Sequence, residues 1–415
     1  MTQVELADGR FSKQYVSQIE RGETPPSDEL VAWLAERLGV DREMIHSGFS
    51  GDESRRTRAA LDDVHRQLAE HSYAEALTAV ARLKESLVGE VPAWAHHDIG
   101  CAEAWALIRL GRLDEAAAVL TTTSEREPSA VPTVGQAEIA YVTAVCRLMA
   151  SDIGGAQASF NDALRLLDAA DEPNDALRCD IHQWRSRCYR RQRDFEAARE
   201  DIDRALELCQ SLNDIRRGAE VNLQASLVAE RQGRWVLARR YAGTSSEQFQ
   251  AVGDRVTVGR VLNNLAGLNH SLGNDEIAIE QLREAFVIFV DAQLEAEAGY
   301  VLSSLAEIHR ARGDHEAAGL AARQALERLG GRIDHVQETG TAELVLARTH
   351  LAQGEFDEAE NLLAAADRSY AQTESVSHQA RSWMARGELE LLRENDAEAA
   401  RLYRQAAIVL QPADS

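Results

Sequence analysis

Two sets of polar side chains in this chain of 415 residues stand at spacings suited to recognition. The first is Lys13, Gln14, Ser17 and Gln18. Tyr15, Val16 and Ile19 recur among them at helical spacing. One face of a short helix is therefore apolar, and the four polar side chains are left pointing outward. Ser12 stands where it can cap that helix. The second set is counted back from a recurring turn. Nine residues before it lie Gln183, Gln224, Asn264 and Ser304; ten before it lie His182, Leu223, Asn263 and Ser303; thirteen before it lie Glu220, Arg260 and Tyr300. Asn222 and Arg348 are weaker members. An amide carries a donor and an acceptor together, so a ladder of amides matches the N–H and C=O groups of an extended peptide.

Other chemistry is not encoded. There is no Walker loop, no GxGxxG after a strand, no GxSxG and no HExxH, so no catalytic constellation, metal centre or cofactor is expected. His96, His97 and Asp98 are consecutive. On a helix, adjacent histidines point in different directions and lack an i,i+4 partner, so they read as a solvated face. Cys101, Cys146, Cys179, Cys188 and Cys209 are odd in number and have no CxxC spacing. They read as reduced, buried thiols of a cytoplasmic protein. The N-terminal residues have neither the basic nor the apolar region of a secretory signal. No run approaches 18 apolar residues, so no membrane span is expected. The net charge of −23 argues against a surface that coats nucleic acid throughout, but leaves room for a small reading module.

The elements that must position these residues are helices. Hydrophobic residues make up 45% of the chain while aromatics are 5% and prolines number 7. That balance suits closely packed helices rich in alanine. A phrase recurs nine times: His71–Ala76, Gly111–Ala116, Ser151–Ala156, Gln192–Ala197, Gly233–Ala238, Gly273–Ala278, Gly313–Ala318, Gly354–Ala359 and Glu394–Ala399, with the closing alanines 40 or 41 residues apart. Glycine ends one helix through a left-handed cap, an acidic residue begins the next, and alanine lets the two approach. Each copy is a helical hairpin that must stack on its neighbours to bury its apolar face.

The GxxxEA phrase after an alanine-rich helix resembles the tetratricopeptide repeat, about six residues longer than the usual length of about 34. The resemblance spans roughly residues 56–413 and implies an all-α fold, a right-handed α-solenoid of about nine long repeats. It also implies that the second polar set lines the solenoid's concave surface. Residues 1–50 differ. Thr2-Gln3-Val4-Glu5-Leu6-Ala7, followed by Ser12 to Gly22 and Pro25-Pro26-Ser27, resembles the Cro/lambda-repressor-type (XRE) helix-turn-helix. The family normally has one more helix before this string, so either the true start lies upstream of Met1 or the head is truncated.

In such a motif the second helix enters the major groove, where Gln pairs with adenine and Lys with guanine. Gln3 is a phosphate contact by that resemblance, and Arg55, Arg56 and Arg58 are further candidates. The expected DNA-binding residues are thus Gln3, Ser12, Lys13, Gln14, Ser17 and Gln18. Ser27 is expected to cap a helix whose Leu30, Leu34 and Leu38 pack back on the head. The head is not basic: residues 1–50 carry five basic and nine acidic side chains.

Head and repeats together resemble the RRNPP-type regulators, cytosolic receptors for short signalling peptides. The resemblance implies a head at 1–50 and a ligand-binding and dimerisation domain at 51–415. Double-stranded DNA, a peptide or similar effector, and a second copy of the chain are the implied partners. The expected ligand-binding residues are Gln183, Glu220, Gln224, Arg260, Asn263, Asn264, Tyr300 and Ser304. Two rival readings are a scaffold that sequesters a partner protein behind an inert head, and a solenoid that dephosphorylates a partner.

Overall fold

The computed structural model describes residues 11–20, 26–40, 51–87, 93–125, 133–170, 173–329, 336–371 and 376–410, with 42 and 45. All regular structure among the described residues is helical. Two helices belong to the head, α1 (Lys13–Glu20) and α2 (Asp28–Leu38). The other described helices follow one another along the chain in nine pairs. The first four are α3 (Gly51–Ala69) with α4 (Tyr73–Ser86), α5 (Ala93–Arg109) with α6 (Leu113–Glu125), α7 (Val134–Met149) with α8 (Ile153–Ala169), and α9 (Asp175–Arg191) with α10 (Phe195–Leu212). They continue as α11 (Ile215–Arg231) with α12 (Trp235–Ala251), α13 (Arg255–Ser271) with α14 (Asp275–Asp291), α15 (Glu295–Ala311) with α16 (His315–Leu329), α17 (Val336–Gln353) with α18 (Phe356–Ala371), and α19 (Val376–Leu392) with α20 (Asp396–Leu410). The chain divides into two compact units, Met1–Asp194 and Phe195–Ser415. The expected tetratricopeptide-type solenoid is what the hairpins build.

The turn phrase folds for the reasons its residues supply. Gly111, Gly233, Gly273, Gly313 and Gly354 all have φ between 71° and 79°. That left-handed region costs glycine nothing and costs other residues about 1 kcal/mol or more. Where the copy lacks glycine, His71, Ser151 and Glu394 adopt the same conformation at φ 62°, 65° and 61°. Asp152 and Asp314 of the phrase accept backbone N–H groups in the first turn of the second helix, at 2.9 and 3.1 Å, and Asp214 and Asp254 do the same at 3.0 Å where one repeat passes to the next.

One repeat is read one residue off in the sequence. The left-handed residue of the fourth turn is Arg193, not Gln192. Asp194 N–H donates to Tyr189 C=O as Arg234 N–H does to Ala229 C=O, which sets an offset of 40 between the two copies. The fully buried alanine of this copy is Ala198, while Ala197 is only half-buried. Two adjacent alanines made the closing residue ambiguous. The consequence is that Gln183 shares the register of Leu223, Asn263 and Ser303, and Trp184 takes the register of Gln224.

Burial follows the alanines. Ala76, Ala116, Ala156, Ala198, Ala238, Ala278, Ala318, Ala359 and Ala399 are each at most 1% exposed. A second small residue recurs on first helices. A Cβ added to Gly259, Gly299 or Gly340 would come within about 3 Å of Phe289, Leu329 or Tyr370, so a large side chain from the second helix of the same hairpin fills the space that glycine leaves. All five cysteines are buried, as expected. No helix among the described residues is long and apolar enough to cross a membrane.

The turns generate a paired expectation. Gly313→Ala meets no neighbouring atom within 4 Å, so its cost is backbone strain alone, about 1 kcal/mol. Glu394→Gly relieves the same strain and stabilises by about 0.5–1 kcal/mol. Urea unfolding followed by circular dichroism should show midpoint shifts of opposite sign for the two variants.

Candidate nucleic-acid helix and polar repeat face

The head presents a short polar helix on a small apolar base. Ser12 Oγ accepts from Tyr15 N–H at 3.1 Å and caps α1. Val16 is 2% exposed, while Tyr15 and Ile19 are half-buried. Lys13 and Gln14 are exposed, and Ser17 and Gln18 half-buried. Ser27 caps α2 by accepting from Leu30 N–H at 3.3 Å. Leu30, Val31, Leu34 and Ala35 are buried, but Leu38 is 45% exposed, against the expectation that it packs back. It sits in the last turn, immediately before the left-handed Gly39 that ends the helix. Gln3 lies outside the described residues. Of the three following arginines, Arg55 is ion-paired with Asp52 and Arg58 stacks over Trp94 at 5.0 Å, which leaves Arg56 exposed with no partner among the described residues.

In the unit Phe195–Ser415, first helices approach one another across repeats, α13 to α15, α15 to α17 and α17 to α19. Positions thirteen and six before the turn lie seven residues apart, two helical turns, so they share a face, and position nine lies between them on it. On that face stand Glu220 on α11, Arg260 and Asn264 on α13, and Tyr300 and Ser304 on α15. Arg260 pairs with Glu297 at 3.1 Å. Tyr300 is 45% exposed. Desolvation raises its phenol above the usual range, while the Asn263 side chain hydrogen-bonds it and opposes that rise. Asn263 is 8% exposed, and its Oδ1 has no hydrogen-bond partner. Asn264 and Ser304 are half-buried, and Ser304 Oγ donates to Tyr300 C=O at 3.4 Å. Glu220 is half-buried.

The remaining candidates are drawn inward or committed. Gln224 is buried. Asn222 Nδ2 donates to Gly218 C=O and to Gln248 Oε1, so its amide serves packing. In the unit Met1–Asp194, His182 is buried, and Gln183 is 1% exposed with neither amide atom hydrogen-bonded. Arg348 makes a bidentate pair with Glu388 at 3.1 and 3.2 Å. Sequence reasoning missed Glu307, Arg310, Arg381 and Glu388. Arg381 stands thirteen before its turn and Glu307 and Glu388 six before theirs, so extending the count to the last repeats would have found three of the four.

His97 corrects the expectation of a solvated face: it is 6% exposed. Its helix α5 is enclosed by α3, α4, α6 and α7. Nδ1 lies 2.9 Å from Asp98 Oδ1 and Nε2 lies 3.1 Å from Gly135 C=O, so both ring nitrogens face acceptors, an arrangement that favours the doubly protonated ring. Burial by itself lowers the imidazole, but Asp98, Cys101 and Glu138 outweigh it and push it up to about 11. No group of three or more metal-ligating side chains occurs among the described residues.

Comparison with known proteins agrees with this architecture. Residues 1–45 match a helix-turn-helix family, residues 101–176 and 344–415 match one tetratricopeptide repeat family, and residues 180–211 match another. The chain joins an XRE-type helix-turn-helix to tetratricopeptide repeats. Among solved structures, a Rap protein complexed with competence and sporulation factor superposes with TM-score 0.62 at 13% identity, over 86% of this chain and 98% of that one. The apo form of the quorum sensor NprR from B. thuringiensis gives 0.60 at 11% identity, over 86% and 99%. A signal-transduction ATPase with a tetratricopeptide repeat sensor from Pyrococcus horikoshii gives 0.64 at 12% identity, over 88% of this chain and 54% of that one. At these identities the likeness is one of fold. No curated protein matches the sequence.

The raised His97 value has a direction in pH. Protonated His97 contributes stability in full below the unfolded value of about 6.5, and the contribution is lost as pH rises toward about 11. The nitrogen chemical shifts of His97 should remain those of an imidazolium at pH 8.5. A neutral imidazole there would remove the assignment.

Proposed function

We propose that the protein is a DNA-binding transcription regulator whose repeats sense an extended peptide or similar effector, acting as a cytoplasmic homodimer by binding and not by catalysis. The observation that carries this reading is the pairing of a capped helix with Lys13 and Gln14 exposed and a first-helix face on which Asn263, Asn264, Tyr300 and Ser304 collect. The unpaired Asn263 Oδ1 is an acceptor that a peptide N–H would satisfy, and leaving it buried and unmet costs about 1–3 kcal/mol. The similar folds include one described as a quorum sensor and one described as complexed with competence and sporulation factor, which agrees with this reading.

Lys13, Gln14, Ser17 and Gln18 would read base edges from the major groove, with Ser12 holding the helix end that approaches the phosphates and Gln3 contacting the backbone. Two heads spaced by one helical turn of DNA require a dimer. Effector binding shifts the heads only through a difference in affinity between two arrangements. The acidic excess of residues 1–50 favours the rival reading, a scaffold with an inert head. A mobility-shift titration on the DNA upstream of the protein's own gene separates the two.

In that titration Gln14→Ala should weaken specific binding by about 1–3 kcal/mol. Lys13→Ala should weaken it and change the salt slope by about one unit if Lys13 meets a phosphate. Retention of the same weak, sequence-independent affinity by both variants and the parent would favour the scaffold. For the repeats, Asn264→Ala should lower the affinity of a bound peptide about ten-fold in a calorimetric titration, and an unchanged value would remove Asn264 from the site.

A further inference from the structure

The polar first-helix face does not end at Ser304. Further along the same unit three guanidinium groups and two carboxylates gather on α15, α17 and α19. Arg348 is held bidentately by Glu388. Arg381 is ion-paired with Glu307, a contact that joins α19 to α15. Each carboxylate therefore has its own arginine.

Arg310 is the surplus cation. It stands three residues after Glu307 on α15, so it shares Glu307's face of the helix. No carboxylate among the described residues lies within ion-pair distance of it, and its Nε is buried without an acceptor. Burial lowers its pKa, and the neighbouring Arg348 lowers it further; Glu388 offsets only part of this. The acidic groups near this end of α15 are engaged elsewhere: Asp314 with His309, and Glu276 with Arg312. Tyr403 on α20 adds a phenol beside Glu388 and Arg348. In a chain of net charge −23, leaving one buried guanidinium nitrogen beside a like charge is a feature in need of a partner.

We infer that this end of the first-helix face binds a carboxylate of the effector, with Arg310 as its principal ligand. The inference rests on the peptide reading above and adds the chemical class of one of its groups. A single surplus positive charge matches a carboxylate better than a doubly charged phosphate, and a guanidinium presents paired donors to two oxygens. Arg310 lies six residues beyond Ser304, about 9 Å along the helix, so an extended peptide reaches from the amides to Arg310 with about three residues. The carboxylate has two possible sources, an acidic side chain or the peptide's C-terminus.

Three synthetic pools of randomised octapeptides, captured on the immobilised full chain and read by mass spectrometry, test it. The first carries a central Asp and an amidated C-terminus, the second a central Asn and an amidated C-terminus, the third a central Asn and a free C-terminus. The randomised positions exclude Asp and Glu. Retention of the first or the third about ten-fold above the second is expected, and which of them is enriched names the source. Arg310→Gln should abolish the enrichment, and Arg310→Lys should restore part of it. Equal retention of all three pools overturns the carboxylate site and leaves peptide sensing standing. Enrichment that survives Arg310→Gln overturns the role of Arg310. Retention of none of the pools overturns the peptide reading, and the inference with it. The comparison of pools on the unaltered chain needs no variant to fold.

Discussion

The closing of each hairpin by a buried alanine is the constraint on which the rest of the structure depends. At Ala116, Ala238 or Ala318 the second helix meets the first at a side chain one carbon long, and the helices approach as closely as their backbones allow. The left-handed residue a few positions earlier aims the chain back at the correct angle. Together they make every repeat nearly the same shape, so stacking carries each register of the first helix into the next copy. A polar residue thirteen, nine or six positions before the turn is then one rung among several, and a row of rungs exists before any ligand does.

The cost of this design is visible in the polar groups that the rungs carry. Close packing hides part of each side chain: Asn263 leaves an oxygen unmet, Gln183 leaves both amide atoms unmet, and Arg310 leaves a guanidinium nitrogen unmet. Elsewhere the same packing satisfies such groups, as with Asn222 and its two acceptors, or His97 between Asp98 and Gly135. A polar group completed by its own chain holds a repeat together, and in the function proposed above the incomplete Asn263 and Arg310 are the groups left for an effector.

Much of the fold was legible in the residues. The periodic phrase located all nine hairpins, because glycine, aspartate and alanine each act through local geometry at a fixed offset. Ser12 and Ser27 were legible as caps for the same reason. The fourth repeat reads one position off because Ala197 and Ala198 are adjacent, and only burial shows which of them takes the closing place. The candidate site was half legible. Register placed Asn264, Ser304 and Tyr300, but it did not say which amides would be covered, since burial depends on neighbours up to 41 residues away.

The sequence by itself determined that the chain is a stack of long helical hairpins behind a head with a polar second helix, since propensity, capping and turn conformation act over a few residues. Tertiary structure alone decided that Gln224 is covered while Tyr300 is open, that His97 is enclosed between two acceptors, and that Glu307 is taken by Arg381 and Glu388 by Arg348 so that Arg310 is left over. Charge pairing and burial are settled between side chains brought together across repeats, and no local rule counts how many partners will arrive.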